Sequence, residues 1–218
     1  DYKQAIYWWK KSANQGNATA QNSLGITHYL KKDYKQAVYW WKKSAEQGDA
    51  TVQFKLGITY YLGKGVKRDY KQAVYWWKKS AQQGNADAQY NLGLAYYYGQ
   101  GIKQDYKQAF YWWKKSAQQG NAKAQYNLGV TYHNGQGVKQ DYKKAVYWYK
   151  KSAQQGNAIA QFKLGLAYYY AEGVKQDYKK VIYWWRKSAQ QGYNKAQNNL
   201  GLAYYNGQGV KQDYKQAL

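Results

Sequence analysis

The dipeptide Asp-Tyr returns at Asp1, Asp33, Asp69, Asp105, Asp141, Asp177 and Asp213, spaced once by 32 residues and then five times by 36. Around each return stands nearly the same string, DYKQAVYWWKKSAQQGNAxAQYNLGLAYYYGQGVKQ. A fixed period of this length implies stacked supersecondary units rather than one or two globular domains, because a single unit cannot bury its apolar face alone.

Each unit reads as two helices. The first in chain order, helix B, is predicted over Asp105–Gln119 in the fourth unit. Asp105 stands at its N-cap, and Gln108 three residues later completes a capping-box pattern. At 100° per residue, Tyr106, Ala109, Phe110, Trp112, Trp113, Ser116 and Ala117 share one arc, and Lys107, Tyr111, Lys114, Lys115 and Gln118 the other. Gly120 stops the helix. Asn121 then caps helix A, predicted over Ala122–His133, with Ala122, Ala124, Leu128, Gly129 and Tyr132 recurring every three to four residues. Gly129 interrupts a helix, where Gly is unfavourable by about 0.5–1 kcal/mol relative to Ala. Its recurrence at Gly25, Gly57, Gly93, Gly165 and Gly201 implies that a neighbouring helix needs the space. A G-x-G-V/I turn follows (Gly135, Gly137 and Val138 here), with the Val expected to tuck inward.

Composition narrows the chemistry. There is no Cys, so no disulfide, thiolate metal site or cysteine nucleophile. Aromatics make up 20% of the residues, which argues against disorder. No apolar run reaches the roughly 18 residues of a membrane span. The recurring Asp accounts for most of the acids, leaving Glu46, Asp49, Asp87 and Glu172, and Asp49 itself stands at a helix A cap. No acid–base pair recurs. His28 and His133 lie three units apart and are expected to replace packing and groove Tyr residues rather than share a metal. The GQG turn lacks the spacing and the preceding strand of a phosphate loop. No enzymatic activity, cofactor, metal or small-molecule substrate is expected.

The pattern resembles the Sel-one-like repeat family, A-x-A-Q-x-x-L-G-x-x-Y-x-x-G-x-G-V followed by D-x-x-K-A-x-x-W-Y-x-K-A-A-x-Q-G. Ala86, Ala88, Gln89, Leu92, Gly93, Tyr96, Gly99, Gly101, Asp105, Ala109, Trp112, Trp113, Ala117, Gln119 and Gly120 carry the resemblance, which extends over the whole chain. It implies an all-α fold, a right-handed α/α superhelical solenoid of 36-residue helix-turn-helix repeats related to tetratricopeptide repeats, with helix A on a concave face and helix B on a convex one. The expected organisation is a single array over 1–218: a helix B half-unit 1–16, A–B pairs 17–48, 49–84, 85–120, 121–156 and 157–192, and a last helix A with a stub, 193–218. The resemblance also implies an adaptor role and, in bacteria, contact with host or envelope proteins, which leans the compartment toward the periplasm or secretion. Four departures stand out. The first A–B connection lacks four residues, predicting a tighter pair. Ala171 replaces a turn Gly, predicting an altered turn. Tyr193 replaces the capping Asn, with Asn194 expected to take over the cap. Ser12 and its equivalents replace an Ala, keeping the close packing.

Two surfaces could bind a partner. By analogy with tetratricopeptide helices, the concave groove is formed by Phe54, Ile58, Tyr61, Tyr90, Leu94, Tyr97, Tyr98, Tyr126, Val130, His133, Phe162, Leu166, Tyr169 and Tyr170, with packing between successive A helices as the competing role. Tyr offers large amphipathic contact area at low entropic cost, so a protein or peptide partner suits this face, whereas an acidic protein would suit the lysine-bearing face of helix B. On helix B, Lys71, Tyr75, Lys78 and Lys79, then Lys107, Tyr111, Lys114 and Lys115, form Lys-Tyr-Lys rungs. These suit a polyanion such as nucleic acid, acidic polysaccharide or an anionic membrane surface, or else a solvated face that keeps an aromatic-rich chain soluble. The net charge of +23 is spread over every full unit rather than gathered in a tail. The near-identity of the units also fits an engineered consensus with no native ligand. A chain that opens on helix B and closes within the next one predicts further repeats beyond it or end-to-end self-association.

Overall fold

A computed structural model describes residues 2–213 and 215. Twelve α-helices and no strand are found among the described residues: α1 Tyr2–Asn14, α2 Ala18–Leu30, α3 Tyr34–Glu46, α4 Ala50–Leu62, α5 Tyr70–Gln82, α6 Ala86–Tyr98, α7 Tyr106–Gln118, α8 Ala122–Asn134, α9 Tyr142–Gln154, α10 Ala158–Tyr170, α11 Tyr178–Gln190 and α12 Asn194–Asn206. Odd-numbered helices are of type B and even-numbered ones of type A. They gather into two compact units, Asp1–Trp112 and Trp113–Leu218.

Helix starts follow the cap chemistry. The Asp carboxylates accept the backbone N–H three residues on, at 3.0 Å in Asp69–Gln72, Asp105–Gln108, Asp141–Lys144 and Asp177–Lys180. The capping box is only half used. The backbone N–H of Asp69 donates to Tyr60 O (3.0 Å) and that of Asp105 to Tyr96 O (2.9 Å), so the preceding helix A takes the group that Gln would have reached. A-type helices begin the same way at Asn17, Asn85, Asn121 and Asn157, whose Oδ1 atoms accept from Ala20, Ala88, Ala124 and Ala160. Tyr193 keeps the cap position of α12 without a side-chain hydrogen bond, and Asn194 is already helical, correcting the expected transfer of the cap. The Tyr193 ring lies 5.3 Å from Phe162, so packing holds it there.

Within the first unit, α2 and α4 each receive an aromatic from the B helix that follows. A Cβ on Gly25 would lie 2.2 Å from Trp41 Cδ1, and one on Gly57 would lie 2.4 Å from Trp77 Cδ1. The second unit repeats this with Gly129 against Tyr149 and Gly165 against Trp185, each at 2.4 Å. Leu56 and Leu92 are fully buried beside these aromatics in the first unit, as Leu164 is in the second. Burying each large aromatic contributes roughly 2–3 kcal/mol. Ala109, Trp112, Trp113, Ser116 and Ala117 are buried as the helical arc predicts, and Phe110 is half-buried. Tyr106 departs from that arc and is exposed, its ring edge-on to Tyr97 at 5.2 Å by the end of α6, at the margin of the core.

The recurring Ser does more than save space. Ser44 Oγ donates to Ala18 O (3.0 Å) and Ser80 Oγ to Ala50 O (2.6 Å), and Ser152 and Ser188 bond to Ala122 and Ala158 at 2.7 Å. Beside them runs a part-buried amide relay: Gln53 Nε2 donates to Ala45 O (2.9 Å), and Gln83 Nε2 donates to Gln53 Oε1 (2.8 Å). Gln161 and Gln191 repeat the relay in the second unit.

In the long A-to-B turns, a Cβ on Gly101 would meet Tyr70 O at 2.2 Å, because the turn presses on the first turn of the preceding B helix. Val66, Ile102 and Val174 tuck against the core. Ala171 adopts φ 58° and ψ 30°, matching Gly63 at 70° and 29°, so the turn is retained rather than altered. In the short first connection Lys32 takes φ 62°, and His28 Nδ1 lies 3.1 Å from Asp33 Oδ2. The same glycine notch, Gly25 against Trp41, forms here as at Gly57 against Trp77, so the shorter turn leaves the helix pairing in place.

Candidate functional site

Successive A helices leave a recess between them, floored by the intervening B helix, at one register of the repeat. In the first unit a cavity of about 370 Å³ lies between α2 and α4, walled by Ile26, Leu30, Phe54, Ile58 and Leu62, with Trp41 behind. The next, about 330 Å³ between α4 and α6, has Tyr61, Leu94 and Tyr98 as walls and Trp77 behind. In the second unit a cavity of about 200 Å³ lies between α8 and α10, lined by His133, Leu166 and Tyr170 with Tyr149 behind. The aromatic that fills the helix A glycine notch thus also floors the cavity. Tyr29 lies 5.4 Å from Trp41 and Tyr61 lies 5.5 Å from Trp77, which closes one side.

Polar groups at the rim differ from cavity to cavity. Lys55 and Lys64 stand at the first. Burial holds the Lys55 ammonium below the usual lysine range against the opposing pull of Asp49, and its Nζ lies 5.9 Å from the Trp41 ring. Lys64 donates to Tyr29 OH at 3.2 Å, which raises its pKa. At the second cavity the equivalent residues are the neutral Asn91 and Gln100, with Tyr61 OH 3.5 Å from Gln100 Oε1. At the third they are Lys163 and Glu172, and Glu172 Oε2 is engaged by His133 Nε2 at 3.1 Å.

The expected groove residues therefore divide. Phe54, Ile58, Tyr61, Leu94, Tyr98, His133, Leu166 and Tyr170 line cavities, and Tyr98 and Tyr170 are 62% and 64% exposed. Tyr90, Tyr97, Tyr126, Val130 and Tyr169 are half-buried between helices. Burial raises the Tyr90 pKa, and the Tyr169 ring stacks on Trp185 at 5.7 Å. Phe162 is not a groove residue. It is 6% exposed, stacked at 6.1 Å on Trp185 and covered by Tyr193, because the Asn that caps the other helices is here an aromatic. Sequence reasoning missed Leu30, Leu62, Lys55 and Lys64. The spacing of Lys55 and Leu62 along one helical stripe with the expected Ile58 carried the signal for two of them.

On the B-helix face, Lys71, Tyr75, Lys78, Lys79, Lys107, Tyr111, Lys114 and Lys115 are all exposed. The lysine four residues after the outer tyrosine lies over its ring, Lys79 at 4.9 Å from Tyr75 and Lys43 at 4.8 Å from Tyr39, with Lys151–Tyr147 and Lys187–Tyr183 both at 4.9 Å. Such contacts are worth about 0.5–1 kcal/mol at exposed sites. The ring is thus shared with its own helix before any ligand arrives. Among the described residues no group of three metal-ligating side chains forms, and no helix is long and apolar enough to cross a membrane.

The family model for Sel1 repeat matches residues 1–17, 18–49, 50–85, 86–121, 122–157, 158–193 and 194–218. Among solved structures, c5321 from uropathogenic Escherichia coli, a protective antigen displaying an SLR fold, is 39% identical with a TM-score of 0.93 over 97% of this chain, which spans 46% of that longer chain. A Sel1 repeat protein from Oxalobacter formigenes is 33% identical with a TM-score of 0.83, over 97% of this chain and 95% of that one. A Klebsiella pneumoniae protein at 23% identity and a TM-score of 0.53 shares the fold, over 89% of this chain and 97% of its own. No curated protein matches by sequence. With family repeats matched from end to end and two solved relatives above 30% identity, this chain belongs to the Sel1 repeat family, TPR-like all-α solenoid proteins that typically act as protein-interaction scaffolds.

Proposed function

We propose that the protein is a non-enzymatic scaffold that holds an extended segment of a partner protein on its A-helix face. The observation that carries this reading is the return of one cavity type at one register of the repeat, apolar-walled and aromatic-floored, in both compact units. A cavity near 300 Å³ is at the small end of ligand pockets and suits one large side chain. Such cavities suit side chains spaced along one side of an extended peptide, each anchored by apolar burial and oriented by the differing polar rims.

Tyr98 and Tyr170 test the proposal, because both are exposed and removing them leaves the core intact. With a partner identified from the native cell, the double variant Tyr98→Ala, Tyr170→Ala should bind about tenfold more weakly by calorimetry while its circular dichroism and melting temperature stay at parent values. Unchanged affinity overturns the reading. A parallel titration with heparin at low salt isolates whatever the lysines of the B-helix face contribute by charge alone.

A further inference from the structure

The three cavities share a register but not a chemistry. The one between α2 and α4 has the most aliphatic wall, with Leu62 where Tyr98 and Tyr170 stand in the others and Leu30 added from α2. It alone of the three carries two lysines, with no neutral pair and no internal carboxylate in their place. Both reach toward aromatic rings at the cavity, Lys64 at 5.5 Å from Tyr29 and from Tyr34, and Lys55 at 5.9 Å from Trp41. Their side-chain hydrogen bonds go to neutral groups, Asn22 Oδ1 for Lys55 at 3.5 Å and Tyr29 OH for Lys64. The Lys55 ammonium is partly buried, with the attraction of Asp49 only partly offsetting its desolvation, and a ligand carboxylate held between it and Lys64 would relieve that cost. The opposite arrangement is seen in the second unit, where Glu172 answers the local positive charge and is engaged by His133.

From this juxtaposition we propose that the α2/α4 cavity is the specificity pocket for an acidic peptide segment, taking one large apolar side chain between Ile26, Phe54, Ile58 and Leu62 while a flanking Asp or Glu pairs with Lys55 and Lys64. The proposal rests on the reading of the A-helix face as a peptide-binding surface. A peptide fits better than a detached fatty carboxylate because the cavity adjoins the α4/α6 cavity of the same unit through α4, which supplies Leu62 to one and Tyr61 to the other. An extended chain can fill both. Charge complementarity of this kind sets specificity and association rate more than raw affinity.

The probe is a fluorescein-labelled hexapeptide, Asp-Glu-Leu-Phe-Glu-Asp, measured by anisotropy on the 218-residue chain at low and at physiological salt. Two controls accompany it: the same peptide with Lys at each acidic position, and one with Ala at both apolar positions. Binding of the acidic Leu-Phe peptide, with both controls weaker by about tenfold or more, is expected. The charge-reversed variant Lys55→Glu, Lys64→Glu should invert the preference between the acidic and basic peptides. Lys64→Glu alone, at the more solvated position, should shift it in the same direction and keeps the test alive should the double variant fail to fold. Equal binding of the Ala control, or a double variant that keeps the parent preference, overturns the proposal. So does displacement of the peptide by decanoate with the same sensitivity to both lysine substitutions, which would make the pocket a fatty-acid site. Binding that ignores Lys55 and Lys64 but falls in Tyr98→Ala, Tyr170→Ala would sink the pocket and keep the A-helix face. Binding lost only in Lys78→Glu, Lys79→Glu, on the B-helix face, would sink both.

Discussion

Ala171 holds φ 58° where its counterparts Gly63, Gly99, Gly135 and Gly207 hold 67–70°. For an L-residue the left-handed region is unfavourable by about 1–2 kcal/mol, part of which a glycine would return through the greater freedom of its unfolded chain. Ala171→Gly should therefore raise stability by about 1 kcal/mol in urea titration; a drop would mean that the methyl makes a contact outweighing the strain. That Ala171 was unusual could be read directly, since the other repeats show what belongs there. How the chain answers could not, because a turn may bend to suit its residue or force the residue to suit it. Here the carbonyls of the helix end and the tucked Val174 hold the turn. Tyr193 and Phe162 teach the same lesson from the other side. A lost capping Asn was visible in the sequence, but the aromatic pair that draws Phe162 out of the groove exists only once α10, α11 and α12 have come together.

Helices were the most legible elements. The predicted helix B over 105–119 and helix A over 122–133 are found as Tyr106–Gln118 and Ala122–Asn134, because cap residues and stop glycines mark both ends chemically. What the pattern could not show was the traffic of hydrogen bonds between elements. Ser80 looked like a small filler, yet its hydroxyl satisfies the Ala50 carbonyl at 2.6 Å in the neighbouring helix. Ser80→Ala should destabilise by about 1–2 kcal/mol in denaturant titration, the loss of a hydrogen bond to a part-buried carbonyl, although Ala is the residue of the family pattern. The caps carry a pH dependence. Asp141 and Asp177 are held below the usual carboxylate range, first by the backbone N–H groups of Lys144 and Lys180 and next by those side chains, which lie at 3.0 and 3.1 Å. A lowered folded pKa means that the contribution is complete above the unfolded value of about 4 and is lost as pH falls through the folded values. The variant Asp141→Asn, Asp177→Asn should be less stable than the parent at neutral pH, with the two curves converging in acid; a gap that persists at the lowest pH would assign the effect to packing rather than charge.

At the scale of the whole molecule, a charge of +23 opposes a core built from aromatics. Lysines on the B-helix face repel one another over a Debye length of about 10 Å at 0.1 M salt, so moderate salt should raise the melting temperature. A flat response to added NaCl would show that the lysine–tyrosine contacts and caps already neutralise the repulsion locally. The cavities show the limit of reading one repeat at a time. Their walls come from two A helices in different repeats and their floor from the intervening B helix, so no single repeat contains a complete one. By itself the sequence determined the all-α repeat class, the helix ends, the glycine notch and the scarcity of catalytic groups, since each depends on residues within one 36-residue period or on composition. Only the tertiary structure decided which A-helix aromatics line a cavity, which serine and glutamine bonds join the helices, and which cavity combines an aliphatic wall with two lysines, because those properties arise where residues from different repeats meet.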